Sequence, residues 1–180
     1  LALLDTNSLT FKTFMNSELL NKTVINCLED DKKDNNILWI GTWNNGLLKF
    51  NKITQEITQY NVGKGVANTL NNNTIRAISQ DGQGNLWLCT FGGGLNCFNK
   101  SSGQFTSFVN HPNSPASLSY NLLWSAYLDQ GGQLWIGSFG GGINAGMIRN
   151  RQIIHLSAFS YNTNPEENNA VSAICIDGSN

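Results

Sequence analysis

The sequence predicts an all-β fold built from repeated units of four short strands, and three observations lead to this prediction. The segments LWIGT, LWLCT and LWIGS place Trp39, Trp87 and Trp135 at intervals of 48 residues. Short runs of alternating apolar and polar residues, separated by Gly, Asn, Ser and Asp, surround each copy. No apolar pattern of helical period is found. Four strands per 48 residues are typical of a β-propeller, so we expect a fragment of about three to four blades.

The repeat extends beyond the tryptophan segments and defines the predicted units. The opening LDTNSLTFKTF matches FNKSSGQFTSF of the second unit, and the third unit diverges after Ile143, with Gly146 in the place of a phenylalanine. Because a partial ring leaves blade faces uncovered, we expect a piece of a longer propeller, with self-association into a homodimer as the alternative. The predicted ranges are 1–15 for the last strands of a preceding blade, 23–61 and 74–109 for two blades, 122–157 for a divergent blade, and 170–180 for the first strand of a further blade, all within one incomplete propeller domain.

The second strand of each unit carries the tryptophan among apolar neighbours. Such a strand is expected to be buried on both faces, so Trp39, Trp87 and Trp135 are predicted to pack between adjacent blades rather than to stack on sugars. Gly41 and Gly137, two positions later, would leave room for the neighbouring blade. The first strand, which mixes apolar and small residues, is predicted to be innermost, and the alternating fourth strand to lie near the rim.

A glycine-rich segment joins the second and third strands, spelled NNG in the first unit and GGG in the next two. A strand follows it, whereas a phosphate-binding loop would be followed by a helix, so we predict a tight hairpin with Gly46, Gly94 and Gly142 in structural roles. Asn is the non-glycine residue that best tolerates positive φ. We therefore expect Asn44 and Asn45 to adopt the backbone conformation of the glycines that they replace.

An acidic residue recurs between the first and second strands. Asp81 and Asp129 are each followed by a glycine-containing turn and are predicted to accept backbone N–H groups there. Aligning VINCLED with IRAISQD gives the same place to Asp30 in the first unit. Because the acid recurs at one turn position, we interpret it as structural rather than as a catalytic acid or a calcium ligand.

Composition excludes several classes of function. The formal net charge is −1, and the 11 Lys and Arg residues are scattered, so neither nucleic-acid binding nor direct membrane contact by this segment is expected. The opening residues lack the basic and apolar regions of a signal peptide. Four cysteines without a C-x-x-C pair, with two histidines, predict no metal site and no cofactor. We expect isolated thiols, with a disulfide between Cys89 and Cys97 as the alternative.

The second unit also spells a recognisable motif. Its residues are Ile78, Asp81, Gly84, Leu86, Trp87, Thr90, Gly92 to Leu95, Phe98, Gly103, Phe105 and Phe108, followed by Asn113, Pro115, Ser117, Leu118, Ser119 and Asn121. This pattern resembles the repeat of the two-component regulator propeller family, and the likeness covers nearly the whole chain. The missing phenylalanine of the third unit departs from it.

The resemblance implies a setting for the chain. It implies seven-bladed propellers, commonly paired, in the periplasmic sensor part of hybrid histidine kinases of Bacteroidetes-like bacteria, followed by an immunoglobulin-like domain, a membrane helix and the kinase. Many such receptors respond to oligosaccharides. The partners implied are the remaining blades of the parent chain and an oligosaccharide, and the implied location is the periplasm. No kinase motif is found in the sequence itself.

Candidate ligand-binding residues follow from the direction of the strands. Because the strands of a blade alternate, the hairpins after the second strand and the links between blades lie on one face, which gathers aromatic and amide side chains suited to sugar recognition. The candidates are Trp43, Asn44, Asn45, Phe91, Phe139 and His111. The plainer alternative is that these rings only cap their hairpins.

Three functions are compatible with these features. The first is a ligand-sensing module of a two-component sensor kinase, the second a structural or protein-interaction propeller, and the third a fragment of a carbohydrate-active enzyme. Glycoside hydrolysis needs two carboxylates held apart across a cleft. The acids Glu166 and Glu167 are instead adjacent, and no Ser-His-Asp pattern is found, so we expect this chain not to be an enzyme.

Overall fold

The protein is all-β, as the sequence predicts. The computed structural model describes residues 2–13, 18–63, 69–114, 116–147, 152–156 and 170–174. It contains three four-stranded antiparallel sheets and one two-stranded hairpin. Each four-stranded sheet follows the chain order, with every strand paired to the next. This up-and-down arrangement is that of a propeller blade.

The blades correspond to the repeated units. The first comprises β3 (Ile25–Asp30), β4 (Ile37–Thr42), β5 (Leu47–Asn51) and β6 (Ile57–Tyr60). The second comprises β7 (Ile75–Gln80), β8 (Leu86–Thr90), β9 (Leu95–Asn99) and β10 (Gln104–Phe108). The third comprises β11 (Leu123–Leu128), β12 (Gln133–Ser138), β13 (Ile143–Met147) and β14 (Gln152–Leu156). The first strands of adjacent blades contact each other, β3 with β7 and β7 with β11.

Apolar side chains fill the spaces between blades. One cluster joins the first and second blades and includes Trp39, which is 2% exposed and lies 5.8 Å from the Phe98 ring. A second cluster joins the second and third blades around Trp87. Trp135 is only half-buried. Strand β8 is buried at every position, whereas β10 has one buried residue, Phe105, and exposed residues at Gln104, Thr106 and Ser107.

The second strand approaches the next blade closely. A Cβ atom at Gly41 would lie 2.8 Å from Ile75 of the second blade, too close for any side chain. Gly137 is similarly crowded by Val171, whose N–H donates to the carbonyl of Ser138 at 2.9 Å. In the middle blade the equivalent Cys89 is fully buried and its thiol donates to the Ser125 carbonyl at 3.5 Å.

The first described residues form a hairpin and one helical turn. Strands β1 (Ala2–Asp5) and β2 (Thr10–Thr13) pair with Leu4 opposite Phe11. The described helix, α1 (Glu18–Asn21), is a single turn. Leu20 is buried there in a cluster with apolar residues of the first blade, and that burial stabilises a turn too short to show a sequence period.

The turn between the first two strands contains a bond that the sequence analysis did not predict. Asp81 and Asp129 accept backbone N–H groups of the turn, and each also accepts the indole N–H of its blade's tryptophan at 3.0 Å. In the first blade the acid is Asp31, which accepts from Trp39 at 2.8 Å, and not Asp30. Asp30 is the last residue of β3 and pairs with Lys52 on the surface, so the predicted alignment was one residue out of register.

These hydrogen bonds affect the ionisation of the acids. Burial alone would raise the pKa of Asp31, but hydrogen bonds from Lys100 and Trp39, and the charge of Lys100, lower it to about 2. Lys100 belongs to the second blade, so this ion pair also links two blades. For Asp81 too, burial opposes ionisation while hydrogen bonds from Asn85 and Trp87 lower the pKa.

The hairpins after the second strand share one glycine conformation. Gly46, Gly94 and Gly142 have φ values of 72°, 69° and 70°, and each carbonyl accepts the hydroxyl of the residue four positions earlier. The expectation is wrong for Asn44, because Gly92 and Gly140 at the same position have φ values of 115° and 101°, whereas among described residues the non-glycine positions with positive φ are Leu9 and Gln55. Asn45 takes the place of Gly93 and Gly141, which do not have positive φ either. Only the last position of the segment imposes this conformation in all three blades.

The two cysteines beside the second hairpin do not face each other. Cys89 is opposite Leu95 and Cys97 is opposite Trp87 in the β8–β9 pair. A cross-strand disulfide needs two opposed cysteines with suitably directed Cβ atoms. The alternative of a Cys89–Cys97 disulfide is therefore wrong for this register.

Candidate functional site

The candidate site begins at the residue that follows the second strand of each blade. The backbone N–H groups of Trp43, Phe91 and Phe139 donate to the carbonyl groups of Val24, Thr74 and Leu122, the residues just before the first strand of the same blade. These bonds are 3.0, 2.9 and 2.8 Å long. The repeat thus holds one aromatic side chain at the same end of every blade.

The three aromatic residues form a continuous group with a fourth. Trp43 lies 6.0 Å from Phe91, and Phe91 lies 6.5 Å from Phe139 between ring centroids. Trp124 of β11 lies 5.9 Å from Phe91 and stacks on Phe139 at 5.6 Å. We call Trp43, Phe91, Trp124 and Phe139 the aromatic row. Such ring pairs each contribute about 0.5–1.5 kcal/mol beyond their area burial, so the row is a preformed surface.

The row is partly open to solvent. Trp43 is 39% exposed and Phe139 is 38% exposed, while Phe91 and Trp124 between them are half-buried. The row therefore crosses all three blades at the hairpin end and presents ring surface outward at both ends. Planar apolar surface of this kind suits stacking of a sugar or another flat ligand.

Among the described residues, one cation, Arg76, lies against the row. The guanidinium carbon of Arg76, in β7, is 4.0 Å from the Trp124 ring centroid and 5.6 Å from that of Trp43. Both distances are within the range of cation–π attraction, which is strongest over tryptophan. Arg76 thus joins the aromatic side chains of the first and third blades across the second.

Asn44 and Asn45, which the sequence predicts as ligand-binding residues, both form hydrogen bonds within the fold. The side-chain amide of Asn45 donates to the Thr23 hydroxyl at 2.8 Å, and its backbone N–H donates to the Thr42 hydroxyl at 2.9 Å. The Asn44 side-chain oxygen accepts from the Thr74 hydroxyl at 3.3 Å, which connects the hairpin of the first blade to the second. Asn44 is exposed and adjacent to Trp43, whereas the amide of Asn45 is already engaged.

His111 lies apart from the aromatic row in its contacts. It is exposed in the link between the second and third blades, where its backbone N–H donates to the Ser117 hydroxyl at 2.9 Å and its carbonyl accepts from Ser114. Among the described residues, none of the ring contacts of the row includes His111.

Sequence reasoning missed Trp124 and Arg76, although a signal for them was present. Both occupy the second position of a first strand, where the first blade has Asn26. The neighbouring strand positions are apolar or small in all three units, but this one carries an amide, a guanidinium and an indole. A repeat position whose residue changes chemically while its surroundings stay constant is a sign that the position is not part of the apolar core that the repeat conserves.

At the opposite end of the blades, grooves of about 280 and 250 Å³ lie among the described residues. They are lined by residues of the turns after the first and third strands, including Gln83 and Asn85 in both. Within the part of the chain that the structure describes, no group of three His, Cys, Asp or Glu residues is arranged to hold a metal ion. No helix among these residues has the length and apolar character needed to cross a membrane. Glu166 and Glu167 lie outside the described residues.

Comparison with known proteins gives a family match in the second unit. Residues 69–92 match the sequence profile of the family described as two component regulator propeller. The matched segment contains β7, β8 and Phe91. The resemblance to that family is confirmed, and no curated protein matches the chain.

Solved structures show the same fold. The chain is 25% identical, with a TM-score of 0.67, to the extracellular domain assigned to a hybrid two component system of B. thetaiotaomicron, covering 82% of this chain and 21% of that one. A second such domain from the same organism is 26% identical, with a TM-score of 0.58, covering 72% and 17%. The RRP9 WD40 repeats, at 10% identity and a TM-score of 0.54 over 74% and 38%, share only the fold. The chain therefore spans about a fifth of the length of the two bacterial domains.

Proposed function

We propose that this chain, which carries a two component regulator propeller repeat, is part of the extracytoplasmic sensor of a two-component system and binds an oligosaccharide or a similar polar ligand on its aromatic row. The family match and the two bacterial extracellular domains support the sensor assignment. The proposed location is the periplasm, as the sensor part of an inner-membrane protein. The proposed partners are the remaining blades of the parent chain.

The observation that carries the ligand proposal is the continuity of the row. Core aromatic residues such as Trp39 and Trp87 are buried between blades at the other end of the second strand. Trp43 and Phe139 instead remain more than one third exposed while contacting rings that are half-buried. Exposed aromatic surface that is held in place by neighbouring rings loses little conformational freedom when a ligand stacks on it.

We propose binding without catalysis. The row presents aromatic rings, and the cation found beside it among the described residues is the Arg76 guanidinium, which stays protonated in proteins and does not act as a general base. Binding and orientation of a polar ligand are the chemistry that such groups provide. A sensor needs this chemistry alone, because its output is a conformational change passed to another part of the protein.

The experiment is calorimetric titration of the chain with neutral and acidic oligosaccharides of three to six sugars. Trp43→Ala and Phe139→Ala remove exposed rings from the two ends of the row and should each weaken binding about two- to tenfold, since an aromatic contact contributes about 0.5–1.5 kcal/mol. Phe11→Ala is the matched control, because Phe11 is a 69% exposed ring in the hairpin β1–β2. Equal affinities of all three variants, or no binding by the parent chain, would contradict the proposal and favour a structural or protein-interaction propeller.

A further inference from the structure

The first strand of every blade contains the same irregularity. Its pairing with the second strand shifts between Ile25 and Cys27 in the first blade, between Ile75 and Ala77 in the second, and between Leu123 and Ser125 in the third. The shifts leave Asn26, Arg76 and Trp124 without a partner in the second strand. We call this place the bulge position. A β-bulge redirects the side chain of its extra residue and is frequent beside binding sites.

Side chains at the bulge position touch from blade to blade. The Asn26 side-chain amide donates to the Ile75 carbonyl at 2.8 Å, and the Arg76 guanidinium lies 3.5 Å from the Asn26 side-chain oxygen. The guanidinium carbon of Arg76 also lies 4.0 Å from the Trp124 ring centroid. Three consecutive blades thus contribute one side chain each to a second line of residues, which runs beside the aromatic row and meets it at Trp124.

Arg76 has no acidic partner in the part of the chain that the structure describes. The ion pairs found there are Lys22–Glu18, Lys52–Asp30 and Lys100–Asp31. Arg76 is half-buried, and its Nε atom is buried without a hydrogen-bond partner. Placing a cation out of water without a counter-charge is costly, and so is an unsatisfied buried donor.

The contacts with the two indoles do not satisfy the N–H donors of the guanidinium, and among these donors Nη1 makes only a long contact, 3.5 Å, to the Asn26 side-chain oxygen. Cation–π contact uses the flat face of the group, whereas its N–H donors lie in the plane. Apart from the long contact to Asn26, no acceptor for this edge is found among the described residues. An oxyanion can receive two parallel hydrogen bonds from such an edge, an arrangement that a lysine cannot reproduce.

We propose that Arg76 is the anion-recognising residue of the site and that the ligand is an oligosaccharide bearing a carboxylate or sulfate group. The oxyanion would pair with the Arg76 edge while a neighbouring sugar ring stacks on the aromatic row. The bulge position then sets ligand specificity, and the row provides affinity common to many sugars. This inference rests on the proposed function, since it names the ligand class for the same surface.

The experiment compares charged and neutral forms of the same sugar chain. Calorimetry is performed with trigalacturonic acid and with the same trisaccharide after reduction of its carboxyl groups, and in a second arm with a sulfated trisaccharide and its desulfated form. We expect at least one charged form to bind about 10- to 100-fold more tightly than its neutral partner. Which arm shows the preference identifies the carboxylate or the sulfate as the group recognised.

Variants of Arg76 assign the preference to one side chain. Arg76→Met keeps an unbranched side chain against the two indoles and should abolish the preference while the neutral form still binds. Arg76→Lys keeps the charge without the planar fork and should retain only part of the preference. Lys49→Met is the control, because it removes one positive charge from the third strand of the first blade and should leave the preference intact.

Several results would overturn the inference. Equal affinities for the charged and neutral forms would show that Arg76 does not recognise an anionic group of the ligand, and the proposed function would remain. Survival of the preference in Arg76→Met, or its loss in Lys49→Met, would assign it to general surface charge. Binding by none of the four sugars would count against both the inference and the proposed function. Circular dichroism of each variant, compared with the parent chain, identifies any variant that has failed to fold.

Discussion

Replacing Gly94 by alanine should destabilise the protein much more than replacing Gly103, although the two glycines have almost the same φ, 69° and 72°. An alanine in the left-handed region costs about 1–2 kcal/mol, and the loss of glycine's freedom in the unfolded chain returns about 0.4–1 kcal/mol. Gly103 has open space around its missing Cβ atom, so its substitution should cost about 1 kcal/mol or less.

Replacing Gly94 by alanine has the same backbone cost and adds a steric cost. A Cβ atom there would collide with the Phe108 carbonyl oxygen and would lie 3.2 Å from the Asn121 side-chain oxygen and 3.3 Å from Leu118. Forcing extra atoms into a packed site typically costs about 1–3 kcal/mol, which together with the backbone cost gives a total of about 1–4 kcal/mol for Gly94→Ala.

Urea denaturation followed by tryptophan fluorescence measures both substitutions. The account predicts a free energy of unfolding for Gly94→Ala that is lower than that of Gly103→Ala by about 1–3 kcal/mol. Similar values for the two variants would refute the reasoning, because they would show that φ alone, and not the close approach of the fourth strand and the next blade, requires glycine in the hairpin.

Three further results follow from the structure. Replacing Gln55, whose φ is 61°, by glycine should raise the free energy of unfolding measured in urea by about 0.5–1 kcal/mol, because glycine adopts this left-handed conformation without strain. Because its hydrogen bonds lower the pKa of Asp31 to about 2, below an unfolded value of about 3.9, the stability it contributes is complete above about pH 4 and is lost as the pH falls towards 2. Urea midpoints of Asp31→Asn should therefore change less than those of the parent chain across that range. Burial raises the pKa of Cys27 to about 12 and raises that of Cys89 as well, so mass spectrometry should find iodoacetamide on these two thiols at pH 8 only after unfolding.

The sequence predicts the fold well because the same constraint acts once in each blade. The tryptophan of the second strand and the last glycine of the hairpin recur at a fixed spacing, and each has the same role in every blade: the indole donates to a turn aspartate of its own blade, and the glycine has a positive φ in its hairpin. Trp87 and Gly94 could therefore be interpreted from a single unit and checked against its copies. The turn acid was misplaced in the first unit because a longer turn separates Asp31 from Trp39, and no sequence period marks that insertion.

The candidate site was predicted in part. Trp43, Phe91 and Phe139 were recognisable because they follow the second strand at one repeat position. Arg76 and Trp124 were missed because a bulge brings them to the row, and an irregular register does not follow from strand alternation. A perfect alternation assigns each strand residue to one of two faces, whereas the extra residue of a bulge belongs to neither.

The measurement that tests the central claim most directly is a nuclear magnetic resonance titration of the indole N–H groups, because the five tryptophans divide into two sets. Trp43 and Trp124 lie on the aromatic row, while the indoles of Trp39, Trp87 and Trp135 donate to turn aspartates at the other end of the blades. Addition of an oligosaccharide that binds should shift the first two signals and leave the other three unchanged. Shifts confined to the three aspartate-bonded indoles would contradict the account, since they would locate binding at the opposite end of the blades.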